Sequence, residues 1–209
     1  MHYPGGRILI FAKAPVPGYA KTRLIPVLGE QGAADLQAKL IRKTVGMAVE
    51  SRLAPVQLWT CGDTEQDYFG ELRSIVKGEL YVQSGDDLGA RMHHALEHAL
   101  REAEFAVLIG TDCPAMDGDY LARACAALAE PGADAVLGPA EDGGYVLIGL
   151  HRCDVRLFEN VAWGTAEVLA HTRRRLDDLG WLRRELSMQW DLDRPQDLRR
   201  LVAPGTSFG

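Results

Sequence analysis

The chain has 209 residues, 47% of them hydrophobic, and a formal net charge of -6. This length suits one domain with a substantial core, so we expect a single domain over residues 1–209. The acidic balance argues against a nucleic-acid-binding protein, which normally carries a basic face. No apolar run approaches the roughly 20 residues that cross a bilayer, and no signal-peptide pattern opens the chain. We therefore expect a cytoplasmic protein without a membrane span.

Buried strands and amphipathic helices alternate along the chain, which favours a doubly wound α/β fold. The predicted strands cover residues 8–12, 56–61, 80–83, 106–110, 135–138 and 146–150, with a short one from residue 189. The predicted helices cover residues 31–51, 65–75, 88–100, 118–130 and 166–179, with a last one starting near residue 195. We expect Asp86 or Asp87 to cap the third helix and Thr165 to cap the fifth.

A loop with an unusual concentration of cations follows the first strand. Its prolines and Gly18 restrict its path, and Lys13, Lys21 and Arg23 place three positive charges near the strand end. Lys supplies a point charge and Arg a planar fork for phosphate oxygens, so the loop suits a diphosphate. A solvated basic surface is the alternative. The Gly-Lys-Ser/Thr order of a Walker loop is missing.

The apolar run at residues 106–110 is followed closely by Asp112, at the position where parallel sheets bind their ligands. A glycine before it and a proline after it predict a short, stiff turn, on which a carboxylate suits a divalent cation. Asp191 and Asp193 share one side of the tail if it is extended, so they are candidates to complete a metal site. The alternatives are that Asp112 stabilises a turn and that Asp193 caps the last helix.

Other residue types give weaker signals for chemistry. No two of the four cysteines lie close together in the sequence: Cys61, Cys113, Cys125 and Cys153. This spacing argues against a zinc or redox motif and predicts free, mostly buried thiols. Cys113 would need an activating base, and the sequence identifies none. His94 and His98 share a helix face, but no further ligand is near enough in sequence to favour a metal site.

Two adjacent carboxylates, Glu141 and Asp142, precede Gly143 and Gly144 between two predicted strands. One interpretation is ordinary hairpin chemistry, in which the glycines form the turn. The other is that a carboxylate contacts a sugar or acts as a general base, while the glycines allow close substrate approach. Trp163 likewise either packs in the interior or forms a platform for a sugar or base.

Taken in order, these features resemble the nucleotide-diphospho-sugar transferase superfamily, which has the GT-A fold, over the whole chain. The resemblance is carried by residues 11–18, 21–24, 88–92, 110–114, 138–149 and 190–193. Within the superfamily, the chain looks like a bacterial and archaeal family described as a glycosyltransferase or as a domain of unknown function (DUF2064-like). It is also similar to the guanylyltransferases for 2-phospholactate and the molybdenum cofactor. The fold implied is a three-layer α/β/α domain with a mostly parallel mixed sheet.

The resemblance implies a transferase that binds a nucleotide or nucleotide-sugar donor and a small-molecule acceptor, with glycosyl transfer as the leading reaction. Mg²⁺ or Mn²⁺ would be held by Asp112 and by Asp191 or Asp193. The implied nucleotide contacts are Ala12, Lys13, Gly18, Lys21, Thr22, Arg23, Gln83, Gly89, Arg91 and Thr111. We expect the catalytic residues to be Lys21, Arg23, Asp142 and Glu141. We expect the substrate contacts to be Gly143, Gly144, Trp163 and Thr165.

Two other functions stay open at this point. In nucleotidyl transfer, a phosphorylated acceptor attacks the α-phosphate of a nucleoside triphosphate, Lys21 and Arg23 steady that phosphate, and pyrophosphate leaves. The third possibility is a catalytically silent nucleotide-binding module. The first loop lacks the Gly-x-Gly-x-Arg form of sugar nucleotidyltransferases, and Asp112 stands alone where many glycosyltransferases carry Asp-x-Asp. The sequence therefore leaves the choice between the two transfers open.

Overall fold

The computed structural model describes residues 1–62, 67–76, 78 and 80–201, which build one seven-stranded sheet with helices around it. The strands are β1 (Gly6–Lys13), β2 (Val56–Cys61), β3 (Leu80–Val82), β4 (Phe105–Gly110), β5 (Ala135–Pro139), β6 (Tyr145–Leu150) and β7 (Arg183–Glu185). The helices are α1 (Ile25–Ser51), α2 (Asp67–Val76), α3 (Leu88–Leu100), α4 (Gly118–Ala129), α5 (Val168–Asp178) and α6 (Leu198–Leu201). The predicted start of the second helix, at residues 65 and 66, lies outside the described residues.

The order of the strands places most of their carboxyl ends along one edge. Across the sheet the order is β3-β2-β1-β4-β6-β5-β7. Strand β6 runs antiparallel to β4 and β5, and the other described pairs are parallel. Six strands therefore end at the same edge, where the chain turns into loops rich in polar residues. Ligands of such sheets bind at this edge.

The two faces of the sheet are covered by different helices. Successive side chains of a strand point to opposite faces, so Ile8 and Ile10 of β1 pack with α1, α2 and α4. Leu9 and Phe11 pack on the other face with α3 and α5. The prediction of a three-layer α/β/α fold with a mostly parallel mixed sheet is confirmed. None of the helices within the described ranges has the length and apolar character needed to span a bilayer.

Some predicted element boundaries were wrong, each for a local reason. Helix α1 begins at Ile25 rather than at residue 31, with non-helical backbone at Gly29 (φ 71°) interrupting its first turn. Helix α5 begins at Val168 after an N-cap at Glu167, so Thr165 is not its N-cap. The Thr165 hydroxyl instead donates to the carbonyl of Ala162 at 2.8 Å, within the preceding turn. The predicted cap of α3 is confirmed as Asp87, whose carboxylate accepts from the Ala90 amide at 2.8 Å.

The carboxyl-terminal part of the sheet also differs from the prediction. Strand β7 was not predicted, because its three residues, Arg183–Glu185, are all charged. It pairs with β5 at the edge of the sheet, and charged side chains are typical of exposed edge strands. The tail strand predicted from residue 189 is reduced to one parallel bridge between Gln189 and Ala140. The bridge holds the tail beside the end of β5, and the tail then continues to the end of β4, where Leu192 contacts Asp112.

Candidate functional site

A cavity of about 500 Å³ lies at the edge of the sheet where the parallel strands end. Its wall is built from the ends of β1, β2 and β4, the start of β6, the first turns of α3 and α5, and the tail. Twelve of the residues predicted from the sequence line it: Lys13, Arg23, Gln83, Arg91, Thr111, Asp112, Asp142, Gly144, Trp163, Thr165, Asp191 and Asp193. These twelve residues come from eight separate parts of the sequence and meet around one cavity.

Lys21 lies behind this cavity rather than in it. Its backbone is left-handed (φ 48°, ψ 44°), an uncommon conformation for a residue with a side chain. Its Nζ atom lies 2.6 Å from Oδ1 of Asp112 and donates to the carbonyl oxygen of Leu192 at 2.5 Å. The Lys21 side chain is 3% exposed, whereas that of Asp112 is 52% exposed. The ammonium therefore neutralises Asp112 from the protein side, and the carboxylate keeps a face towards the cavity.

The tail is held against the end of β4 by the same residues. The Leu192 amide donates to the Asp112 carbonyl at 2.8 Å, and the Leu192 side chain is fully buried. Asp191 and Asp193, on either side of it, line the cavity, as expected for alternating residues of an extended segment. The Asp193 carboxylate forms an ion pair with Arg23. The alternative in which Asp193 caps the last helix is wrong, because Arg194 is the N-cap there and Asp197 accepts from the amides of both.

Asp191 is the carboxylate whose electrostatics depart most from those of an exposed residue. Burial raises the pKa of Asp191, the nearby charges of Asp142, Asp112 and Asp193 also raise it, and Lys21 lowers it, with a net pKa of about 7. Crowded carboxylates at one site repel each other when all are ionised. A proton on Asp191 relieves this repulsion, as would a cation beside it.

The carboxylates suit a hard divalent cation, although they do not form a complete cage. Among the described residues, no three His, Cys, Asp or Glu side chains are grouped closely enough to hold a metal on their own. Mg²⁺ usually takes one or two carboxylates and completes its shell with water and substrate phosphates. Asp112 and Asp191, both lining the cavity, fit that pattern. The rings of His94 and His98 instead pack edge-on against Trp59, 5.8 and 5.5 Å between centroids.

The hairpin between β5 and β6 separates its two carboxylates. Asp142 lines the cavity, and its Oδ1 accepts from the Gly144 amide at 2.9 Å. Glu141 lies outside the cavity and accepts two hydrogen bonds from Arg200, at 2.7 and 2.9 Å. These hydrogen bonds lower the pKa of Glu141 below its usual value. This placement leaves Asp142 as the candidate base and gives Glu141 a structural partner instead.

Gly143 serves the fold rather than substrate approach. Its φ is 88°, and a Cβ atom there would lie 2.2 Å from the carbonyl oxygen of Ala166. The Gly143 carbonyl accepts from the Leu169 amide at 2.9 Å, so the turn packs directly on the backbone at the start of α5. The hairpin interpretation is therefore correct for Gly143, whereas Gly144 borders the cavity.

Gly89 and Trp163 depend on each other. A Cβ atom on Gly89 would lie 2.8 Å from Nε1 of Trp163 and 2.5 Å from the carbonyl oxygen of Phe158. The indole thus packs on the first turn of α3, and it also lines the cavity. Its Nε1 is buried without a hydrogen-bond partner among the described residues. Both interpretations of Trp163, packing and a cavity platform, are consistent with this position.

Several predicted nucleotide-binding side chains use their nitrogen atoms to hold the surrounding loops. Lys13 donates to the carbonyl of Tyr19 at 2.8 Å. Gln83 donates to the carbonyl of Trp59 at 2.9 Å, and Arg91 donates to that of Gly85 at 3.0 Å. The remaining predicted contacts, Ala12, Gly18 and Thr22, lie outside the cavity lining. Gly18 takes the tight bend expected of it, with a φ of 82°.

Gln37 approaches the cavity from α1 and was not among the predicted site residues. Gln37 is buried, and its amide donates to the Thr111 hydroxyl at 3.3 Å, next to Asp112. The signal for it is a polar side chain one turn before Ile41, on the mostly apolar buried face of α1. Burial raises the pKa of the Cys113 thiol to about 12, which disfavours the reactive thiolate.

The comparisons with known proteins identify the family and the fold of the chain. A family model described as "Uncharacterized protein conserved in bacteria (DUF2064)" matches residues 44–165, more than half of the chain. The chain belongs to this family. No curated protein sequence matches it. It is 31% identical to a protein from Desulfovibrio desulfuricans G20 with a proposed nucleotide-diphospho-sugar transferase activity, with a TM-score of 0.87 over 98% of this chain and 90% of that one.

More distant structures show that the fold is shared by two kinds of transferase. A cytidylyltransferase from Leptospira borgpetersenii is 14% identical, with a TM-score of 0.55 over 95% of this chain and 85% of that one. A mannosyltransferase from Pyrobaculum calidifontis, in complex with GDP-Man and Mn²⁺, is 16% identical. Its TM-score is 0.52 over 96% of this chain and 61% of that one. The predicted superfamily, its fold and the transferase class are confirmed.

Proposed function

We propose that this transferase moves a sugar from a nucleotide-diphospho-sugar to a small acceptor. The observation that carries the proposal is the placement of charge around the cavity. Asp142 borders it as a candidate proton acceptor, whereas Lys21 is bound to Asp112 and Arg23 to Asp193. Nucleotidyl transfer would need those two cations on the attacked α-phosphate, while glycosyl transfer needs a base for the acceptor hydroxyl.

The donor would lie across the strand ends with its two parts on different walls. The nucleotide would contact the wall formed by Lys13, Gln83 and Arg91, and the sugar would lie against Trp163 and Thr165. Stacking on an indole and hydrogen bonding to a hydroxyl both suit a sugar ring. The diphosphate would then be next to Asp112, and holding the reacting groups in this order would supply much of the rate acceleration.

We propose that Asp112 and Asp191 hold Mg²⁺ or Mn²⁺. When bound, such an ion supplies positive charge to the diphosphate as it departs. Asp142 would take the proton of the acceptor hydroxyl, since its carboxylate faces the same space. Asp193 would stay paired with Arg23 at the rim. Electrostatic stabilisation of the leaving group and one proton transfer are then the two contributions of these residues.

Nucleotidyl transfer is the second candidate, because the fold is shared with a cytidylyltransferase. It is separated from glycosyl transfer by the products. The protein is incubated with nucleotide sugars or with nucleoside triphosphates, each with Mn²⁺ and with panels of sugars and sugar phosphates as acceptors. We expect release of a nucleoside diphosphate from a nucleotide sugar. Pyrophosphate release that depends on a phosphorylated acceptor would replace the proposal with nucleotidyl transfer.

Thermal-shift measurements identify the donor before products are sought. A ligand that binds only the folded protein raises its melting temperature by mass action, so the same donors are compared with and without Mn²⁺. We expect one nucleotide sugar to give the largest rise. A nucleotide that stabilises the protein while every donor and acceptor combination stays unreacted would instead indicate a silent binding module.

A further inference from the structure

The pair formed by Lys21 and Asp112 has a consequence for how a metal ion reaches the site. A buried ammonium is costly unless its charge and its hydrogen bonds are satisfied. Lys21 satisfies this condition with Oδ1 of Asp112 at 2.6 Å and the carbonyl of Leu192 at 2.5 Å. Its left-handed backbone and its 3% exposed side chain leave it little freedom to turn elsewhere. The ammonium is thus a built-in partner of Asp112.

A divalent ion approaching Asp112 from the cavity therefore meets a carboxylate that is already neutralised. The fixed positive charge of Lys21 stands directly behind the oxygen atoms that the ion would use, and like charges at such distances repel strongly in a partly buried site. Lys21 and the ion compete for the same carboxylate. The pair between Arg23 and Asp193 is a weaker competitor, because both of its side chains are exposed, 60% and 41%, and water screens them.

We propose that Lys21 is the resident counter-cation of Asp112, so that a divalent ion binds poorly alone and binds well only together with the nucleotide's phosphates. This inference rests on the proposed function, because it takes Asp112 as the metal ligand. The phosphates bring several negative charges to the cavity and attract the ion and the ammonium together. The charge of the phosphates then offsets that of the Lys21 ammonium, which stays behind Asp112, and the exposed face of the Asp112 carboxylate binds the ion.

This arrangement couples the two ligands in both directions. If phosphates raise the affinity for the ion, then the ion raises the affinity for the nucleotide by the same factor. The protein then selects a nucleotide–metal complex over either component. Removing the Lys21 charge should abolish this selection and leave Asp112 as an ordinary carboxylate that binds metal alone.

The test measures Mn²⁺ binding to the whole chain without nucleotide, by the electron paramagnetic resonance signal of free Mn²⁺. Lys21→Gln removes the charge but keeps a donor for the Leu192 carbonyl. We expect it to bind Mn²⁺ about tenfold or more tightly than the wild type, because the competing charge is gone. Adding Asp112→Asn to Lys21→Gln should cancel that gain, since the ion then loses its carboxylate.

Lys13→Gln is the matched control. It removes the same charge from the end of β1, just before the loop that carries Lys21, but Lys13 donates to the Tyr19 carbonyl and not to Asp112. We expect its Mn²⁺ affinity to stay within about twofold of the wild type, because an exposed charge is screened by water. If Lys21→Gln and Lys13→Gln change the affinity equally, or if neither changes it, the inference is overturned.

A measurement on the wild type keeps the test decisive if Lys21→Gln does not fold. Mn²⁺ binding to the protein with saturating GDP is compared with its binding to the protein alone and to GDP alone. We expect the ternary complex to hold Mn²⁺ at least about tenfold more tightly than either, by the coupling described above. Equal affinity for the protein with and without GDP contradicts the inference. Neither Mn²⁺ measurement depends on catalytic activity. If Mn²⁺ binds as expected but no glycosyl transfer is found, the proposed function is wrong and the inference about Lys21 stands.

Discussion

The first loop and the β5–β6 hairpin each carry two residues of like charge that the fold sends to different places. In the loop, Lys21 is buried behind Asp112, whereas Arg23 stays at the rim. In the hairpin, Asp142 borders the cavity, whereas Glu141 points away to Arg200. The members of each pair are one or two residues apart in the chain, and their residue types would allow the same chemistry.

In both pairs, the partner of a charged side chain, more than its type or its position in a motif, decides whether it is available to a ligand in the cavity. A cation that is buried against a carboxylate acts on that carboxylate, while an exposed cation is available to a ligand from solvent. A carboxylate neutralised by a guanidinium is a poor proton acceptor, because its ionised form is stabilised. For each pair we therefore predict one variant with a large effect and a neighbouring variant with a small one.

The largest difference is expected between Asp142→Asn and Glu141→Gln. If Asp142 accepts the acceptor's proton, its amide variant should lower kcat by about 100-fold or more, the usual contribution of a general base. Glu141→Gln should lower kcat less than about threefold, because the rate of a positioned base does not depend on its exposed neighbour. Initial rates with the donor identified by thermal shift measure both. Equal losses in the two variants would contradict the assignment of the base.

A smaller difference is expected in the free energy of unfolding between Lys21→Met and Arg23→Met. Lys21→Met leaves the Leu192 carbonyl without its donor, and an unsatisfied buried group of this kind costs about 2 kcal/mol. Arg23→Met breaks only an exposed ion pair, which is worth less than about 1 kcal/mol. Urea denaturation followed by circular dichroism measures both values. A larger loss in the arginine variant would reverse our ranking of the two pairs.

The fold could be predicted further from the sequence than the site could. Hydrophobic periodicity gave the alternating strands and helices, since burial on two faces leaves a regular pattern in residues such as Ile8 to Phe11. It failed for β7, whose charged residues are held in place by pairing with β5 and not by burial. Strand ends also indicated the edge of the sheet where polar residues would meet, and that edge does carry the cavity.

The orientation of individual side chains could not be predicted, because it depends on contacts between distant parts of the chain. Lys21 faces Asp112 and Leu192, which lie about 90 and 170 positions further along the sequence. Glu141 leaves the cavity for Arg200, in the last described helix. The Gly143 carbonyl accepts from the Leu169 amide in α5, and the backbone of Ala166 fills the space beside the Gly143 Cα. A motif places a residue near a site, and only the packing decides which way its side chain points.

Two cysteines extend the same contrast and give the smallest predicted effect. Both cysteines line the cavity, but Cys61, the last residue of β2, is partly exposed, whereas Cys113, just after β4, is buried. Burial raises the pKa of Cys113 to about 12, so almost none of it is thiolate at pH 8, and the thiolate is the reactive form. We expect iodoacetamide to label Cys61 and spare Cys113 in the folded protein, as peptide mass spectrometry would show.

Nucleotide should slow the labelling of Cys61, because a ligand in the cavity covers the end of β2. At a concentration ten times its dissociation constant, a nucleotide occupies most of the protein, so the labelling rate should fall by about tenfold. A Cys61→Ser variant provides the control for residual labelling at other thiols. If a nucleotide concentration that raises the melting temperature leaves the labelling of Cys61 unchanged, the nucleotide binds away from the end of β2. The donor orientation proposed here would then have to be reversed.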